Sequence, residues 1–218
     1  MTDIHSHDPL LRLGQNKVFS IQLHPDSDLD RILDSVPPEI FVSAGVHPWH
    51  AAEWNESNLN RLESLVHHLR VEFIGEIGLD NVCRIPSEIQ IHIFELQLHL
   101  AHKLNKSVLI HSVGYHSEVL SQKMKFNNIP TWILHGFRGK SQLVEQYLRS
   151  GFFISFGPKY QIDSLRACPL NRLFIETDES GVDLVSLYNK VAQDKGISVS
   201  MLEEALTMNF ERIRNMQA

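Results

Sequence analysis

Short runs of apolar and β-branched residues recur along the chain, and longer stretches with helical spacing separate them. Eight runs read as strands: residues 2–7 (TDIHSH), 17–25 (KVFSIQLHP), 39–48 (EIFVSAGVHP), 71–80 (VEFIGEIGLD), 107–113 (SVLIHSV), 131–137 (TWILHGF), 152–158 (FFISFGP) and 173–178 (LFIETD). Between them, residues 28–36, 54–70, 87–105, 115–125 and 141–150 repeat apolar side chains every three or four positions, as a helix with one buried face requires. Two further amphipathic stretches, 182–196 and 200–214, read as outer helices at the end of the chain. Strands that are almost continuously apolar, alternating with helices, imply a parallel sheet covered on both faces. Eight such units predict an α/β fold, a (β/α)8 TIM barrel forming a single domain over residues 1–218. The length lies near the lower end for that fold, so some crossovers must be shortened. Residues 8–16 and 161–171 are too few for full crossover helices. Were one or two of the eight strands false, an open or seven-stranded barrel would result.

The polar residues that interrupt these strands are not scattered. His5 and His7 close the first, and side chains two apart on a strand share a face. His24 ends the second, His47 the third, His111 the fifth, His135 the sixth and Asp178 the eighth, while Glu76 lies late in the fourth. All fall at the rim where such barrels carry their working residues. Each has an ordinary reading alone: His111 as a core histidine, Asp178 as a helix cap, His5 and His7 as exposed residues near a terminus. Together they form a set that would be costly to bury unpaired, a cost that shared coordination of cations would offset. A carboxylate with two oxygens can bridge two ions. The expected assignment gives one ion to His5, His7 and Asp178 and a second to His111 and His135, with Glu76 between them.

Composition narrows the classes further. Hydrophobic residues make up 43% of the 218, enough for a full core, and no apolar run is long enough to span a membrane. With no signal-like start, the reading is a cytoplasmic protein with no membrane partner, expected as a monomer. The two cysteines, Cys83 and Cys168, form no CxxC pair and read as reduced thiols. A net charge of −6 argues against broad electrostatic capture of nucleic acid, so an anionic substrate needs a local positive site. Histidine, with 13 copies, stands out and suits borderline divalent metals or acid–base work near neutrality. His67, His68, His92, His99 and His102 sit on predicted helices and read as solvated; His50 and His116 lie on loops that could line a pocket. His24, beside Pro25, could face the cavity or serve in capping and packing.

DIHSH, GVHPWH, FIGEIGLD, SVLIHS, ILHGFRG and FIETD, in this order, with TMNFERI near the end, resemble the TatD family of metal-dependent deoxyribonucleases and related hydrolases. The resemblance covers nearly the whole chain. It implies a barrel of the metallo-dependent hydrolase type, with two divalent ions and hydrolysis of phosphodiesters; the histidine-rich ligation favours zinc, manganese or nickel, and the resemblance also allows magnesium. By motif it makes His5, His7, Glu76, His111, His135 and Asp178 metal ligands, and His47 a substrate contact. Two departures stand out: Val113 occupies a position where relatives often carry Arg, and ETDESG replaces the common ETDAP and its longer loop. Arg138, Lys140 and Lys159 could restore positive charge, or could be solvated loop residues.

The expected activity is therefore hydrolysis of a phosphodiester, as by an exonuclease-type deoxyribonuclease, by a two-metal-activated hydroxide that Asp178 orients and whose proton it accepts as the hydroxide attacks, with a short single-stranded DNA end as partner. Asp178 and Glu76 are the expected catalytic groups; His47, Arg138 and Lys159 hold phosphate oxygens. Other readings stay open at this point. One is an amidohydrolase, although the fourth strand lacks the lysine that often bridges such sites. Others are a small-molecule phosphoesterase and a non-catalytic metal-binding scaffold.

Overall fold

A computed structural model of the protein describes residues 1–10, 16–55 and 57–217. Eight parallel strands pair in sequence order: β1 (Thr2–Ser6), β2 (Asn16–Gln22), β3 (Phe41–Gly45), β4 (Val71–Asp80), β5 (Val108–Val113), β6 (Trp132–Leu134), β7 (Phe153–Phe156) and β8 (Leu173–Ile175). The ring closes between β1 and the segment after β8: the amide of Asp178 donates to the carbonyl of His5 at 3.0 Å, and Ser6 bridges Asp178 in parallel. The fold is a (β/α)8 TIM barrel. Its outer helices are α1 (Leu29–Asp34), α2 (Leu59–Val66), α3 (Ser87–Lys103), α4 (His116–Lys125), α5 (Ser141–Arg149), α6 (Ile162–Ala167), α7 (Leu184–Lys195) and α8 (Val199–Asn215).

Two hydrophobic cores follow from the strand alternation. Val42, Ala44, Ile74, Ile77, Ile110, Leu134, Ile154 and Ile175 face outward and pack under the helices. Ile4, Val18, Phe73, Leu109, Ile133, Phe153 and Phe174 fill the barrel itself. Phe210 and Ile213 of α8 join the inner cluster and plug its lower end. Asn209 holds that helix in place, donating to the carbonyls of Leu170 and Leu173 at 2.7 and 3.0 Å, and Arg212 donates to the Asn171 carbonyl. The Asn and Arg of TMNFERI thus lock the barrel floor, far from the polar rim.

Several predicted elements are shorter in the structure. Within 54–70 only Leu59–Val66 is α-helical, and a 3-10 turn over Pro48–Glu53 precedes it. Asn55 and Asn58 explain the gap, because their side chains accept from the backbone amides of Ser57 and Asn55 and compete with helical pairing. Over 161–171 the helix ends at Ala167, since Pro169 disfavours helical backbone at Cys168. The shortened crossover predicted over 8–16 falls largely on residues 11–15, outside the described residues. In β4, Gly78 sits at φ +144°, where a Cβ would lie 2.0 Å from the carbonyl oxygen of His111. Only glycine lets β4 and β5 approach so closely beside the rim.

Candidate metal centre

The strands deliver their polar residues to one point above the inner core. Glu76, on β4, is buried, and its two carboxylate oxygens look in different directions. Oε2 faces His5 Nε2 at 3.5 Å and His7 Nε2 at 3.7 Å. Oε1 faces His135 Nε2 at 2.5 Å, His111 Nδ1 at 2.7 Å and His47 Nε2 at 3.4 Å. Asp178, held at φ 51°, reaches the first group, with Oδ1 3.6 Å from His5 Nε2 and 3.8 Å from His7 Nε2. His5 and His7 thus lie together despite the register irregularity in β1 between Asp3 and Ser6.

Neighbouring groups set how each imidazole points. The hydroxyl of Ser43 donates to the carbonyl of Gly75 at 2.5 Å, that of Ser20 donates toward Ser43 at 3.5 Å, and Ser20 lies 2.7 Å from His5 Nδ1. The relay ends on an obligate acceptor, so His5 carries its proton on Nδ1 and turns the lone pair of Nε2 inward. That Nε2 is buried and has no hydrogen-bond partner among the described residues. His111 Nε2 lies 3.2 Å from Asp80 Oδ2, leaving Nδ1 toward Glu76. Trp49 Nε1 donates to the same Asp80 oxygen at 2.8 Å. His135 Nδ1 faces Glu176 Oε1 at 3.4 Å, and that oxygen is pinned by the Gly136 amide at 2.6 Å. Carboxylates behind metal-facing histidines fix ring orientation and raise basicity.

His47 differs. Its Nδ1 accepts from the Trp49 amide at 3.2 Å as the cap of the 3-10 turn, so its neutral ring carries the proton on Nε2. Burial keeps it in that neutral form by pushing its pKa down, against the pull of Glu76. It points a donor, and not a lone pair, into the site.

The charges agree with this layout. Burial alone would raise the pKa of Glu76, but the charge of His135 and hydrogen bonds from His111, His135 and His47 hold its carboxyl well below the usual range. His135 rises correspondingly: burial opposes its charge, and Glu76 with Glu176 outweighs that. For Asp178, burial is outweighed by the neighbouring His5 and His135 imidazoles, bringing its carboxyl down to about 2 in the metal-free site. A buried carboxylate ringed by imidazole nitrogens demands positive charge beside it. The orphaned His5 Nε2 and the nitrogen–oxygen donor set fit a divalent cation; His5, His7 and Asp178 form one compact triad, and His5, Glu76 and His135 another.

The centre lies in an open cavity of about 630 Å³ whose walls include His7, His47, Trp49, Val113, His116, Arg138 and Asp178. Trp49, 58% exposed, Val82, 76%, and Val113, 37%, form an apolar side of its mouth. Lys159 lies in a smaller neighbouring cavity of about 220 Å³ that shares Arg138, Asp178 and Glu179 with the first. His24 is not in the wall; it pairs with Glu53 together with His50. His67, His92, His99 and His102 are exposed and His68 half-buried on the outer surface. Ser20, Ser43, Asp80 and Glu176, which orient the histidines, were not singled out from sequence. Asp80 and Glu176 lie inside GEIGLD and FIETD, so the motifs held that signal; the serines carry none of their own.

A family model described as TatD related DNase matches residues 11–215. The chain belongs to the TatD family. Among curated relatives, the "3'-5' ssDNA/RNA exonuclease TatD" of Edwardsiella piscicida is 30% identical over 158 residues, 67% of this chain and 60% of that protein. The "Uncharacterized metal-dependent hydrolase YabD" of Bacillus subtilis (strain 168) is 30% identical over 148 residues, covering 64% and 58%. The chain thus spans about three fifths of the length of the curated relatives it matches. The crystal structure of the TatD homologue YjjV from Escherichia coli k12 superposes with a TM-score of 0.85 at 20% identity, over 98% of this chain and 97% of that one. A TatD family hydrolase from Entamoeba histolytica gives 0.74 at 17% identity, over 90% and 84%. Both share the barrel with this TatD-family chain.

Proposed function

We propose that the protein is a metal-dependent phosphodiesterase that removes nucleotides from a short single-stranded DNA end. The observation that carries this reading is the division of Glu76, one oxygen facing His5 and His7 and the other facing His111 and His135. That division suits two divalent ions, one held by His5, His7 and Asp178 and one by His111 and His135, with Glu76 shared. The exonuclease names of the relatives supply the substrate class. Bound divalent ions would supply Lewis-acid stabilisation of phosphate charge and a lowered water pKa.

The chain's own groups do the rest. Asp178, ionised near neutrality and partly open to the cavity, accepts the proton of the attacking water. The Nε2–H of His47 donates to a nonbridging phosphate oxygen, and the exposed Arg138 guanidinium at the cavity edge adds charge. Lys159, one cavity further out, meets the next phosphate along the strand. Val113 contributes apolar contact where a cation would grip phosphate more tightly, so phosphate affinity rests on His47, Arg138 and Lys159.

Nucleotide release from a short single-stranded DNA, with manganese or magnesium against chelator, tests the reading. Release should require metal and fall by about 10²–10⁴-fold in Asp178→Asn. No release from protein that binds metal at Glu76 would remove the phosphodiesterase assignment.

A further inference from the structure

A second group of metal-binding donors lies outside the main cavity and has no part in the scheme above. His24 follows the end of β2, and a turn fixes its backbone: its amide donates to Ser27 Oγ at 2.8 Å and its carbonyl accepts from the Ser27 amide at 3.0 Å. His50 and Glu53 belong to the 3-10 turn over Pro48–Glu53. The Glu53 carboxylate bridges the two rings, Oε2 lying 2.7 Å from His24 Nδ1 and Oε1 2.8 Å from His50 Nδ1. The ring centroids are 4.3 Å apart, and one donor atom from each residue falls within 4.8 Å of the other two.

We propose that His24, His50 and Glu53 form a peripheral binding site for a borderline divalent ion of the zinc class, separate from the centre around Glu76. Two imidazole nitrogens and one carboxylate oxygen are a donor set that zinc, cobalt and nickel accept, with the remaining positions left to water. All three side chains are partly exposed, at 38%, 27% and 42%, so an ion can enter and keep its water ligands. No rearrangement of the backbone is needed to gather the donors; the ion replaces the imidazole protons now shared with Glu53. Burial opposes the charge of Glu53, but the hydrogen bonds from His24 and His50 together outweigh it and hold its pKa below the ordinary range, so the carboxylate is ionised, as a ligand must be. The ion would clamp the end of β2 to the turn that carries Trp49 and is capped by His47, stiffening the wall of the main cavity.

The test is titration of metal-stripped protein with zinc chloride, followed by cobalt chloride with its visible d–d absorption as readout. In a Glu76→Gln background, which disables the central site, one equivalent should still bind and raise Tm. His24→Ala with His50→Ala should remove that equivalent, its cobalt spectrum and its Tm increment; Glu53→Gln should weaken it at least tenfold. Circular dichroism checks that each variant folds, and His24→Gln replaces His24→Ala if it does not. Unchanged stoichiometry and cobalt spectrum in the double variant would overturn the proposal. So would the absence of any bound equivalent in the Glu76→Gln background when the parent chain binds metal centrally.

Discussion

The lower and upper layers of the barrel interior are built from the same strands, two residues apart, and do opposite things. Val18 and Ser20, Phe41 and Ser43, Leu109 and His111, Ile133 and His135, Phe153 and Ser155, Phe174 and Glu176 are pairs in which the first residue joins the apolar plug and the second lies one pleat higher among polar groups. In the lower layer, burial itself stabilises. In the upper layer, each polar group would cost several kcal/mol if left without a partner. Part of that cost is offset locally: His5 leans on Ser20 and Ser43, His111 on Asp80, and one oxygen of Glu176 on the Gly136 amide. The carboxylates and imidazoles left facing one another make sense as a place for cations. A single pleat therefore divides what holds the barrel from what it works with.

This division explains how much could be read from sequence. The eight strands and the outer helices follow from periodicity, and the barrel follows from them. Six of the strands place rim residues by the simple step of two. Two do not: Ile4 and His5 are adjacent, and Phe73 and Glu76 are three apart, yet both members of each pair lie inside the barrel. The pairing register shifts in both places, between Asp3 and Ser6 and between Ile74 and Ile77. No residue type announces such a shift, so the convergence of His5 and Glu76 was legible only from the position of all the rim residues together. The cap that gives His47 its tautomer is equally local: it depends on a 3-10 turn that the helical reading of 54–70 did not contain.

The largest effect is expected from a cavity in the lower layer. Phe174→Ala should cost about 3–5 kcal/mol of unfolding free energy by denaturant titration, because it opens a cavity in a closed layer. Its metal affinity, measured where the protein remains folded, should stay within a few-fold of the parent.

Ser20→Ala should do the reverse. Removing the group that sets the His5 tautomer should lower central metal affinity by about 10–100-fold by calorimetry, with little loss of stability. Equal damage to both properties would mean that the two layers are not separable.

A smaller effect concerns pH. Asp178 ionises near 2 in the folded chain against an ordinary value of 3.8, so its ionised form contributes stability that is complete above about pH 4 and is lost as pH falls toward 2. In metal-stripped protein, guanidinium unfolding should give the parent a margin over Asp178→Asn at pH 5 that shrinks at pH 3. The smallest change is expected from Val113→Arg, which restores a cation to the cavity mouth. Binding of a short single strand should tighten a few-fold and become more salt-dependent, measured by fluorescence anisotropy in two salt concentrations.

A cation-holding upper layer over an apolar lower layer has one consequence that separates the two. The decisive measurement is the rise in Tm caused by manganese or zinc in the parent chain, in Phe174→Ala and in Glu76→Gln, each also carrying His24→Ala and His50→Ala so that only the central site responds. At a hundredfold excess over Kd, one bound ion is worth about 2.7 kcal/mol. A similar increment is expected in the parent and in Phe174→Ala, with loss of most of it in Glu76→Gln. An undiminished increment in Glu76→Gln would contradict the placement of cations in the upper layer.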